Sequence, residues 1–168
     1  MRNFTFKKGR VGNGLFAHSS FKSFVVMVVM MIMTTSSAMA QEAKFEVIDG
    51  LRYLLETGTK TASVIANNGK YSGDIVVPEK VKSSDGVEYC VISLGEGCFS
   101  NCRGLTSISI PSSVTLLGGE CFSDCRGLTS ITIPSSVTSL GKGCFKGCSG
   151  LTSITIPSSV TSLGKGCF

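Results

Sequence analysis

From Val91 onward the apolar positions of this chain return with a fixed step of 23 residues. Cys98, Cys121, Cys144 and Cys167 keep that step, as do Phe99, Phe122, Phe145 and Phe168. Leu105, Leu128 and Leu151 follow it, and so do Pro111, Pro134 and Pro157. Two successive units, 121–143 and 144–166, differ only where Ser123 faces Lys146, Asp124 faces Gly147 and Arg126 faces Ser149. A period of this length marks an array of one supersecondary unit, copied and stacked.

Inside a unit the pattern reads Leu128-x-x-Ile131-x-Ile133-Pro134-x-x-Val137-x-x-Leu140-Gly141. Ile131 and Ile133 alternate with Ser130 and Thr132, the period-two signature of a strand with one buried face. Pro134 ends that strand because it cannot donate to a ladder. Gly141 and Gly143 permit a tight turn, and Cys144 to Cys148 is expected to form one helical or 3₁₀ turn. A single unit cannot bury its apolar face. Stacked on its neighbours, each contributes Phe, Leu, two Ile, Val, Leu and two Cys to a continuous core, which is the logic of a solenoid.

Residues 41–89 lack the period and read instead as short strands at Phe45 to Ile48, Arg52 to Leu55, Ala62 to Ala66 and Asp74 to Val77. Asp49-Gly50 is a hairpin signal between the first two. Val91, Leu94 and Gly95 already fall on the repeat register. The expected organisation is a β-rich cap over 41–89, covering the open end of the first repeat, and repeats over 90–168, three full-length units and a truncated last one. That last unit looks like its neighbours where terminal repeats normally differ, so the repeats are expected to run on past Phe168 in the whole protein.

Residues 1–40 have the layout of a secretory signal peptide. Arg2, Lys7, Lys8, Arg10 and Lys22 form a basic leader, Phe24 to Met33 is an apolar run, and Ala38-Met39-Ala40 is a small-x-small cleavage site. As a helix, that apolar run rises only about 15 Å, too little to span a bilayer. Cleavage after Ala40 would leave no membrane span, and no cysteine follows the run to carry a lipid.

Removing the leader changes the charge. It holds five of the sixteen basic residues and none of the eleven acidic ones, so the remainder balances at eleven of each. The net charge of +5 therefore belongs to the leader, and nothing in the rest points to a nucleic-acid partner. His18, the only histidine, also lies in the leader. The mature part thus has no imidazole for a nucleophile pair, a general base or a metal site. The expectation is a protein that is not an enzyme and needs no cofactor or metal.

All eight cysteines lie beyond the leader: Cys90, and two repeat columns formed by Cys98, Cys121, Cys144 and Cys167 and by Cys102, Cys125 and Cys148. Pairing within a unit is disfavoured, because residues four apart on a helical turn hold their Cβ atoms about 5 to 6 Å apart, beyond disulfide reach. Buried thiols, bridges between units and a metal site remain open as readings.

If the strands line one face, its outward positions are Ser107, Ser109, Ser130, Thr132, Ser153 and Thr155, a flat, uncharged, hydroxyl-bearing array. It reads either as a solvated sheet face or as a contact surface. The turn positions Ser100, Asn101 and Arg103, with Ser123, Asp124 and Arg126 and then Lys146, Gly147 and Ser149, vary between copies and are expected to be exposed.

The string L-x-x-I-x-I-P-S-S-V-T-x-L-G followed by C-F-x-x-C resembles the BspA-like leucine-rich repeats of bacterial surface proteins. The likeness is strong over Val91 to Phe168 and weaker over Phe45 to Tyr89. Two departures stand out. Cysteine precedes the aromatic where the family usually has Ala, and Ser113, Ser136 and Ser159 stand where typical leucine-rich repeats carry Asn. The resemblance implies a leucine-rich-repeat solenoid that is secreted or displayed on the cell surface. It implies binding to a protein or glycan on host or neighbouring cells by contact across several repeats. Two rival readings are a targeting arm of a larger exported enzyme and a structural Ser/Thr-array surface.

Overall fold

The computed structural model describes residues 42–67 and 70–168. The expected signal peptide, 1–40, lies outside the described residues.

The chain opens with an antiparallel meander of β1 (Ala43–Ile48), β2 (Leu51–Glu56) and β3 (Thr61–Val64). Asp49 and Gly50 join the first two strands with φ of 49° and 81°. Positive φ at both central residues gives a turn whose twist matches the flanking strands, as Asp-Gly foretells. On β2 the alternate residues Leu51, Tyr53 and Leu55 are buried, so the meander has one face in the core. β3 then runs parallel to β6 (Glu88–Leu94), and β5 (Lys80–Lys82) pairs antiparallel with the first half of β6. The expected strands of this region are all present, while β5 and the full length of β6 are additions.

Beyond β6 the sheet continues with one two-residue strand per repeat: β8 (Leu116–Leu117), β9 (Ser139–Leu140) and β10 (Ser162–Leu163), all parallel. Register keeps the period, since Leu94 lies opposite Leu117, Leu117 opposite Leu140, and Leu140 opposite Leu163. A second, two-stranded sheet pairs β4 (Ser72–Val76) in parallel with β7 (Gly104–Ser109).

This corrects the expected place of the repeat strand. The hydrogen-bonded ladder runs through Val-Thr-x-Leu, and the Leu-x-x-Ile-x-Ile segment is a strand only in the first unit. Close backbone approach explains the choice. A Cβ on Gly118 would fall 2.6 Å from the Gly95 carbonyl carbon, and Cβ atoms on Gly141 and Gly164 would strike the backbone one repeat back. With no side chain there, the Gly118, Gly141 and Gly164 N–H groups donate to Leu94, Leu117 and Leu140 carbonyls at 2.7, 2.8 and 2.8 Å. Gly141 is needed for this contact rather than for a turn conformation. On the other side of the unit, Thr129 N–H reaches the Thr106 carbonyl only at 3.4 Å, and regular pairing is not propagated.

The Cys-Phe-x-x-Cys segment is a run of hydrogen-bonded turns closed by bonds between residues three apart, with no continuous helix. Cys102 N–H donates to the Phe99 carbonyl and Ser100 N–H to the Gly97 carbonyl, but left-handed residues interrupt any helix. These recur in two columns, Gly97, Glu120, Gly143 and Gly166, and Asn101, Asp124 and Gly147, with φ between 53° and 72°. A right-handed helix cannot pass through such a residue.

The core is a set of stacked columns. Val91, Val114 and Val137 form one, Leu94, Leu117 and Leu140 another, and Phe99, Phe122 and Phe145 a third, all buried. The rings of Phe99, Phe122 and Phe145 lie nearly parallel, with centroids 5.5 and 5.4 Å apart, and Tyr71 closes the column against Phe99 at 5.1 Å. Burial comes from the neighbouring repeat: Leu140 is 1% exposed and its counterpart Leu163, on the outermost strand, is 56% exposed. Each such side chain contributes about 1.5 to 3 kcal/mol when fully buried, so the units are stable only as a stack.

Candidate binding face

The alternation expected of the Ile-x-Ile segment is present without its ladder. Ile108, Ile110 and Ile133 are buried, and Ile131, Ile154 and Ile156 pack against the core. Between them Ser109, Ser130, Thr132, Ser153 and Thr155 point outward and are exposed, and Ser107 is half-buried. Five of the six candidate residues therefore share one open face.

Ser107 differs because β4 covers it. Its hydroxyl and that of Thr106 both donate to Asp74 Oδ1 at 2.7 Å. Those two bonds favour the ionised carboxylate and hold Asp74 below its ordinary range. In the first repeat the Thr106 and Ser107 hydroxyls are thus engaged, while Ser109 stays exposed like Ser130, Thr132, Ser153 and Thr155 of the next two.

Between repeats the face is grooved. One cleft of about 390 Å³ is lined by Ser109, Ser112, Thr132 and Pro134. The next, of about 290 Å³, is lined by Thr132, Ser135, Thr155 and Pro157. Thr132 forms a wall of both, with Ile and Pro as floor and rim. The surface offers hydroxyls, apolar edges and no charge.

The variable turns lie elsewhere and are not uniformly exposed. Asn101, Arg103, Arg126, Lys146, Gly147 and Ser149 face solvent, but Ser123 is buried at 7% exposure. Arg126 leans on Asp124 of its own turn at 3.3 Å.

The two cysteine columns have different chemistry, which spacing alone did not separate. All eight residues are thiols here. In the second column Cys125 Sγ donates to the Phe99 carbonyl and Cys148 Sγ to the Phe122 carbonyl, each at 3.0 Å. Burial pushes the Cys125 thiol up to about 12 and the Cys148 thiol up to about 11, which makes both poor nucleophiles. In the first column the sulfurs face each other, those of Cys98 and Cys121 being 3.2 Å apart. Among the described residues no group of three or more His, Cys, Asp or Glu is placed to hold a metal ion. No helix among them is long and apolar enough to cross a membrane.

One repeat signal was missed in the sequence. Ile75-Val76-Val77-Pro78-Glu79-Lys80-Val81 follows the Ile-x-Ile-Pro-x-x-Val string with Val77 in place of the second Ile, and Ile75 pairs with Ile108 across β4 and β7. The step from Asp74 to its partner Ser107 is 33 residues instead of 23, because the β5–β6 hairpin is inserted. That insertion hides the period.

A family model described as a BspA type leucine rich repeat region matches residues 79–168 in six copies. A leucine-rich repeat protein from Bacteroides ovatus is 34% identical over 72% of this chain and 33% of its own, with a TM-score of 0.65. A leucine rich cell surface protein from Faecalibacterium prausnitzii is 27% identical over 76% of this chain and 40% of its own, with a TM-score of 0.61. A leucine-rich repeat protein from Bacteroides capillosus, at 24% identity over 71% of this chain and 86% of its own, shares the fold with a TM-score of 0.64. The chain thus spans a third to two fifths of the length of the first two of these structures. No curated protein sequence matches it. With more than half of its residues taken up by the family's repeat, in the register the ladder shows, the chain belongs to the BspA-type leucine-rich-repeat family.

Proposed function

We propose that this chain is a secreted or cell-surface binding module, non-enzymatic, whose repeats stack as a solenoid behind a β-rich cap formed by residues 41–89. Its contact surface is the Ile-x-Ile side, with Ser109, Ser130, Thr132, Ser153 and Thr155 as the polar contacts and Ser107 at the margin. The carrying observation is that Thr132 stands between two open clefts while the isoleucines beside it are anchored in the core. Rigid apolar anchoring lowers the entropic cost of presenting side chains to a partner. The partner class that suits such a face is a protein, with a cell-surface glycan second.

Export is supported by the leader pattern of residues 1–40 and by the family, one of whose similar structures is a cell surface protein. The mechanism is additive contact over several repeats, so affinity grows with the number engaged. Because the face carries no charge, binding should change little between low and physiological salt.

The experiment is a binding panel of purified extracellular-matrix proteins, bacterial surface proteins and surface glycans against the immobilised chain. Saturable binding to a panel member, insensitive to salt, is the expected result. A chain that is folded by circular dichroism and binds nothing in the panel would refute the proposal.

A further inference from the structure

We propose that Cys98 and Cys121 are a disulfide-forming pair that locks the first repeat covalently to the second. Their sulfurs lie 3.2 Å apart in the core. A disulfide requires about 2.05 Å between sulfurs and Cα atoms about 4.4 to 6.8 Å apart. The two turns lie side by side, with the adjoining Phe99 and Phe122 rings stacked at 5.5 Å. The backbone on both sides of Cys98 is tied to the next turn, Gly97 N–H to the Gly119 carbonyl and Phe99 N–H to the Cys121 carbonyl, each at 2.9 Å. Closing the bond therefore asks for sulfur movement of about 0.6 Å on each side, with the backbone already in place.

The other column does not compete. Cys125 and Cys148 direct their sulfurs to the Phe99 and Phe122 carbonyls, away from one another. Cys144 flanks Cys121 on its far side, so bonding to Cys98 leaves Cys144 unpaired by Cys121.

Formation follows ordinary thiol–disulfide exchange with an external low-molecular-weight disulfide as oxidant. One cysteine, its proton lost to water, attacks the external disulfide, forms a mixed disulfide and releases one thiolate. The second cysteine thiolate attacks the protein-side sulfur, forms the Cys98–Cys121 bond and releases the other thiolate. Both leaving thiolates take up protons, so two cysteine thiols are oxidised and one external disulfide is reduced to two thiols. Cys98 is 3% exposed and Cys121 0%, which leaves no path for an external disulfide once the repeats have closed. The bond consequently forms during folding and is then shielded from reductant.

The test is refolding of the reduced, denatured full chain in a buffer of reduced and oxidised glutathione. Free thiols are then alkylated, and the linked peptides are mapped by proteolysis and tandem mass spectrometry without reduction. The expected product is one intramolecular link joining the peptides that end at Arg103 and Arg126, with fragment ions placing it at Cys98 and Cys121. The link should persist when the folded protein meets glutathione and be lost when denaturant is added with it. Cys98→Ala should abolish it and Cys102→Ala should leave it. Full alkylation of Cys98 and Cys121 after refolding, or a link from Cys121 to Cys144 or from Cys102 to Cys125, would overturn the proposal. Mapping the unmutated chain makes the result independent of whether either variant folds.

Discussion

The Ser136 hydroxyl donates to the Val114 carbonyl, one repeat back, at 2.7 Å. Ser113 does the same to Val91 at 2.6 Å, and Ser159 to Val137 at 2.8 Å. These are the positions where typical leucine-rich repeats carry Asn, and here a shorter side chain makes the inter-repeat bond. Ser136→Ala should cost about 1 kcal/mol, the usual net contribution of such a bond. Urea unfolding read by circular dichroism checks this, and an unchanged midpoint would show that the hydroxyl contributes nothing.

Gly141→Ala is expected to be far more damaging than its size suggests. The added methyl would meet the Gly118 and Gly119 backbone, which cannot rotate away as a side chain can. Overpacking of this kind costs about 3 kcal/mol or unfolds the stack. Gly50→Ala, where an added Cβ meets nothing, serves as the comparison, its cost arising from a φ of 81° alone. Thermal denaturation of the two variants separates contact from conformation.

Glu120 occupies the left-handed column whose other members are glycines, at a φ of 53°. Relief of that conformation gains about 1 to 2 kcal/mol, while the freer unfolded chain takes back about 0.4 to 1. Glu120→Gly should therefore leave stability unchanged or raise it by up to about 1.6 kcal/mol. A lowered denaturation midpoint would mean that the Glu120 side chain has a stabilising role of its own.

Stability should fall in alkali. The Cys125 and Cys148 thiols are raised from an ordinary 9.0 to about 12 and about 11 by burial. A group whose folded pKa is raised holds its proton more tightly in the native state, so its contribution is complete below pH 9 and lost as pH rises toward 11 to 12. The urea midpoint should be flat from pH 7 to about 8.5 and decline above it. Cys125→Ala should flatten that decline.

Much of the fold was legible because the 23-residue period fixes which residues share a column, and columns are what the core consists of. Asp49-Gly50 and the alternation on β2 were legible for a local reason, since turn chemistry and one buried face leave marks within a few residues. The position of the ladder was not. Ser-Ile-Thr-Ile has the better strand pattern, yet pairing went to Val-Thr-x-Leu, because the glycine after it lets backbones of adjacent repeats touch. That is a contact between units, invisible in the alternation of one. The outward set from Ser109 to Thr155 could be read from periodicity, whereas the covering of Ser107 by β4 could not, since Asp74 belongs to a repeat disguised by its inserted hairpin. The cysteine columns were also countable, but only geometry separates thiols that face carbonyls from thiols that face each other.

The central claim is that the Ile-x-Ile side, and not the ladder side, makes contact with the partner. Paired variants test it most directly. Thr132→Arg with Thr155→Arg fills both clefts, while Thr115→Arg with Thr138→Arg places the same charge and bulk at exposed positions beside the ladder. Equilibrium affinity for the ligand recovered from the binding panel should fall at least about tenfold, some 1.4 kcal/mol, in the first pair and stay within about twofold in the second. Equal loss in both, or loss only in the ladder-side pair, would contradict the account.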